Sequence, residues 1–103
     1  MKKTAALLAL LATPAFAAEP ALLRERIGNL GLFAGYVVAC GLATEDEASA
    51  MVAKLSEGLG APFDAEQAEV LQKARAAAKK VNCDDGPLRD AVRKGWRNYQ
   101  EAK

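Results

Sequence analysis

The sequence predicts an all-α protein: a small four-helix domain stapled by one disulfide and preceded by a cleaved signal peptide. Three observations predict it. Apolar residues recur at helical spacing through four segments separated by short loops. No alternating run and no hairpin signal of a strand occurs anywhere. The chain has only two cysteines, Cys40 and Cys83, each at the end of a helical segment.

The chain opens MKKTAALLALLATPAFA. Lys2 and Lys3 form a positive start, Ala5 to Ala12 a short apolar stretch, and Pro14 breaks it. Ala15-Phe16-Ala17 then supplies the small residues that a signal peptidase accepts. Eight apolar residues cannot cross a hydrocarbon core, which needs roughly 20 in a helix, so the segment reads as a leader and not an anchor. Neither a twin arginine nor a cysteine just after the cleavage site is present. The style resembles bacterial general-secretion signals, which places the expected product in a periplasm or outside the cell. Removing residues 1–17 from the 103 leaves 86, a single domain spanning 18–103. A chain of that size buries only about 60–65% of its unfolded surface, so a covalent staple is valuable. Without Lys2 and Lys3 it carries 12 basic and 13 acidic residues, a balance that favours neither nucleic acid nor an anionic membrane.

The expected helices cover about 20–40, 45–58, 65–82 and 87–101. Pro20 suits a first turn, where a missing N–H costs nothing. Leu23, Ile27, Leu30, Ala34, Val37 and Val38 then share a face, and Gly41 is a natural stop. From Leu30 to Ala43 there is no charge, which marks a core helix too short to span a membrane. Gly28, Gly31 and Gly35 lie on this helix despite costing about 1 kcal/mol each relative to alanine. Glycine there permits close approach of another backbone, within the bundle or from a second subunit, so the chain reads as a monomer or a homodimer.

Thr44 with Glu47 forms a capping-box pattern for the second helix, and Glu45, Asp46 and Glu47 favour its dipole. Its expected stripe is Ala48, Met51, Val52, Leu55 and Leu59, closed by Gly58 and Gly60. Pro62-Phe63 makes a turn, and Asp64 with Gln67 repeats the capping box. Ala68, Leu71, Ala74 or Arg75, Ala78 and Val81 line the third helix, which is alanine-rich and able to lie close to a neighbour. Asp85 or Gly86 caps the fourth, with Pro87 at its first position and Leu88, Val92, Trp96 and Tyr99 as its apolar stripe.

Two cysteines in an exported chain form a disulfide more readily than they stay free. A CxxC pair and histidine are absent, and Met51 is the only methionine after the leader, so a redox pair or a soft-metal site lacks its usual company. A bridge closing this span contributes up to about 4 kcal/mol in the chain-entropy account.

Chemistry is harder to find. "TEDE" and "CDDG" do not supply the ligand order of a calcium loop, and both clusters sit at helix starts, so no metal and no cofactor is expected. Without histidine, and with hydroxyls only at Tyr36, Thr44, Ser49, Ser56 and Tyr99 after the leader, no nucleophile has a base beside it. The expectation is a protein that is not an enzyme. Arg89, Arg93 and Arg97 recur at i, i+4 and i+8 and form a basic stripe on the last helix. Residues 73–97 carry eight basic groups against three acids, and residues 44–69 seven acids against one base. The stripe reads either as a face for an anionic partner or as cations paired with neighbouring helices.

The last helix, "VRKGWRNYQEAK", also carries a loose resemblance. A short exported chain, helices only, one disulfide and a late basic helix with a tryptophan together resemble the HdeA/HdeB type of periplasmic acid-stress chaperones. The resemblance covers organisation and about a dozen residues. It departs at Cys40, which lies where a long helix leaves instead of where one enters. It implies a protein that exposes apolar surface as acid protonates its carboxylates. The sequence therefore supports a small periplasmic interaction or accessory protein that binds another protein, with an acid-stress chaperone or a carrier of a small hydrophobic ligand as the alternative.

Overall fold

A computed structural model describes residues 20–84 and 86–102. The expected leader, 1–17, and the Asp85 cap lie outside them. The described residues form four helices and no strand: α1 (Pro20–Ala39), α2 (Glu45–Glu57), α3 (Ala65–Lys79) and α4 (Gly86–Ala102). The all-α, disulfide-stapled class is the one the sequence predicts.

Local chemistry sets most helix ends. α1 stops in a Schellman motif: Gly41 takes φ +73°, its N–H donates to Val38 O, and Leu42 N–H reaches back to Val37 O. Thr44 caps α2, with its hydroxyl accepting from Glu47 N–H at 3.1 Å while Glu47 Oε1 accepts from Thr44 N–H at 2.8 Å. Asp64 and Gln67 make the same reciprocal pair at the start of α3. α2 ends by tightening: Gly58 and Leu59 N–H donate to Leu55 and Ser56 carbonyls three residues back, and Gly60 closes the turn at φ +92°.

α1 is the central helix. The other three pack on it, α3 most extensively and α4 least. The pairing on α3 has a constant register. Gly31 faces Ala74, Gly35 faces Ala78, and Cys40 is bonded to Cys83, so each partner lies 43 residues further along. Partners that climb together require α1 and α3 to run parallel. α2 lies on the return path between them. α4 starts beside the bridge and brings Gly95 against Phe33 of α1, so it also descends. The topology is up, down, up, down.

The core is built from Ile27, Leu30, Ala34 and Val37 of α1, Ala48 and Met51 of α2, Leu71 and Ala78 of α3, and Val92 and Trp96 of α4. Two residues depart from the expected stripes. Leu55 is 40% exposed and Ser56 is buried, since Ser56, eight residues after Ala48 and four after Val52, lies on the edge of the same helical face and takes the inner position where the chain leaves α2. Val81 is 37% exposed because α3 ends at Lys79, not at 82. Lys80 and Val81 make only three-residue bonds, and the chain then turns to carry Cys83 to Cys40.

Candidate functional site

Three groups of residues carry what chemistry the described molecule offers: the stapled seam, an ion-pair clamp, and the outer face of α4.

The seam joins α1 to α3. A Cβ added at Gly35 would clash with the Arg75 carbonyl oxygen and lie 2.6 Å from Ala78 Cβ and 3.0 Å from Lys79 N. One added at Gly31 would meet the Leu71 carbonyl and lie 3.0 Å from Ala74 Cβ. Both glycines are therefore filled by the backbone of α3. Gly28 differs, since its added Cβ would meet only Val70 Cγ1, at an ordinary 3.7 Å. Above this contact Cys40 and Cys83 form the disulfide with Cα atoms 5.1 Å apart, and both are buried. A bridge of this kind fits a protein of an oxidising compartment.

The clamp ties α2 to α3. Glu45, in the first turn of α2, receives Lys79 Nζ at 2.6 Å and Arg75 Nη2 at 2.9 Å. Arg75 Nη2 also reaches Ser49 Oγ at 3.0 Å, and its side chain is only 13% exposed. The Lys79 hydrogen bond, with Arg75 adding to it against a partial loss of hydration, holds the Glu45 carboxyl below the usual carboxylate range. Periodicity puts Arg75 in an inner stripe and helix-start chemistry puts Glu45 with the dipole acids, and neither pattern joins the two. A cation on an inner stripe needs a nearby acid, and that requirement was the available signal. At the other end of the bundle Arg24 pairs with Glu66, again across α1 and α3.

The three stripe arginines do not share one role. Arg89 is half-buried, and its Nε donates to the Cys83 carbonyl at 3.1 Å, so it fastens the start of α4 to the bridge. Arg93 and Arg97 are exposed. Arg93 Nη1 lies 3.9 Å from Asp90 on its own helix. Lys94 and Arg97 have no hydrogen-bond or ion-pair partner among the described residues. The opposite face of α4 is spent on packing: Trp96 is buried, its ring centroid 5.3 Å from that of Tyr99, and Gly95 admits the Phe33 ring.

Among the described residues no group of three or more histidine, cysteine, aspartate or glutamate side chains is placed to hold a metal ion. No described helix is long and apolar enough to cross a membrane. Comparison with known proteins returns no match: no family model, no curated protein and no solved structure is similar to this chain.

Proposed function

We propose that the chain is a small exported accessory protein of the periplasm that acts by binding another protein and not by catalysis. The observation that supports this reading best is the grouping of its unpaired cations. Arg24, Lys73, Arg75, Lys79 and Arg89 are engaged by acids or by a carbonyl. Of the other described cations, Arg26, Lys54 and Lys80 are exposed singly on α1, on α2 and at the end of α3, whereas Arg93, Lys94 and Arg97 stand together on α4 with one long contact, to Asp90, among the described residues. A stapled frame that holds uncompensated charge on one rigid helix is suited to docking. The first test is chemical crosslinking in intact cells with the leader present, followed by purification under non-reducing conditions. The reading expects a mature chain cut after Ala17 and one discrete, reproducible protein adduct. An uncut chain, or a mature chain that forms no adduct at native abundance, contradicts it.

One observation favours the acid-chaperone alternative. Glu45 is the carboxylate at which both Arg75 and Lys79 meet α2, so protonating it leaves two cations facing each other with no acid between them. That reading requires suppression of aggregation of an unrelated client at pH 2–3. No suppression at equimolar ratio removes it.

A further inference from the structure

Resting on the interaction reading, we infer that the outer face of α4, centred on Arg93, Lys94 and Arg97, docks an acidic segment of a partner protein. Arg93 and Arg97 stand one helical turn apart, with Lys94 beside them, and all three are exposed. Among the described residues only Asp90 forms an ion pair with any of them, at 3.9 Å, which leaves most of the guanidinium donors to solvent. Guanidinium groups bind carboxylates through paired N–H donors, so a row of them one turn apart fits carboxylates displayed on a helix or an extended strand.

The same helix argues against a lipid surface. A helix that lies on a membrane sinks its apolar face and its aromatic residues into the headgroup region. Here Trp96 and Val92 are buried, and Gly95 is filled by the Phe33 ring. The apolar face is committed to α1, and the free face is polar. The frame is also fixed: Arg89 and the Cys40–Cys83 bridge hold the start of α4 in place, so the cations are presented on a positioned helix.

A photo-crosslinking side chain placed at Gln100, exposed on α4, tests the surface directly, with Lys54 on α2 as the control position. Both chains are expressed with their leader in intact cells. The expected result is a protein adduct from Gln100 whose crosslinked peptide is rich in aspartate and glutamate. It should fall at least tenfold in Arg93→Glu/Arg97→Glu and persist in Arg93→Lys/Arg97→Lys. Unchanged Trp96 fluorescence and far-ultraviolet circular dichroism establish that the reversed chain is folded. An adduct from Gln100 that survives charge reversal, or one formed only from Lys54, overturns the α4 assignment and leaves the interaction reading intact. No adduct from either position overturns both. Binding of the purified chain to phosphatidylglycerol vesicles without any protein adduct overturns the inference in favour of a membrane.

Discussion

The most and the least extensive contacts of α1 are built on opposite plans. Against α3 it presents Gly31 and Gly35 to Ala74, Ala78 and bare backbone, and the contact ends in a disulfide. Against α4 it presents Phe33, and the opposing side supplies Trp96, Val92 and the single gap at Gly95. Small residues on both sides let two helices lie close and fix their register, because almost any added atom meets backbone that cannot move aside. Large residues on both sides tolerate adjustment, because rings rotate. The difference separates a frame from a fitting: the α1–α3 seam sets the shape, and α4 is hung on it with its cations outward.

Changes that break this contrast rank by how little the neighbours can yield. Removing the bridge with Cys40→Ala/Cys83→Ala should cost about 2–4 kcal/mol in urea unfolding, since it frees a long loop in the unfolded chain. An unchanged midpoint would show that helix packing alone sets the register. On α4, Gly95→Ala places a Cβ 2.9 Å from Phe33 Cε1, the far edge of a ring. Ring movement and the better helix propensity of alanine offset the crowding, so the net change should stay within about 1 kcal/mol of zero. A loss of several kcal/mol would place α4 in the frame and not on it. The arginines sharpen the same line: Arg89→Gln should cost about 1 kcal/mol through the lost bond to the Cys83 carbonyl, whereas Arg93→Glu should stay within about 0.5 kcal/mol. Equal effects at the two positions would remove the distinction between anchor and free face.

The smallest expected effect concerns pH. The folded-state pKa of Glu45 is depressed, so its contribution is present above the unfolded carboxylate value of about 4.3 and is lost as pH falls through the lower folded value. Wild type should therefore lose slightly more stability between pH 7 and pH 3 than Glu45→Gln does. Identical acid dependence in the two proteins would show that the clamp to Arg75 and Lys79 adds nothing to holding α2.

Helix ends were legible in the sequence because their chemistry is local. Thr44 with Glu47, Asp64 with Gln67, and Gly41 each act within a few residues of themselves. The pairing of Cys40 with Cys83 was legible because the chain has no other cysteine. What could not be read was where periodicity fails. At the end of α2 Ser56 and not Leu55 faces inward, and the early end of α3 left Val81 in solvent. The second of these goes with the need to bring residue 83 to residue 40, a demand set by partners far away in the chain. The split among the arginines was hidden for the same reason, because a repeat of four places Arg89, Arg93 and Arg97 alike while only Arg89 reaches a carbonyl outside its helix.

The frame itself is tested most directly by comparing Gly28→Ala with Gly35→Ala in the oxidised chain by urea unfolding. At Gly28 the new methyl meets Val70 at ordinary contact distance and gains alanine's helix propensity, so stability should rise by up to about 1 kcal/mol. At Gly35 the methyl runs into the backbone of α3, and stability should fall by about 2–3 kcal/mol. Opposite signs are the signature of an α3 backbone that lies against Gly35 and stands off Gly28. If both substitutions stabilise the chain to the same degree, α3 does not lie against Gly35 and the frame described here is wrong.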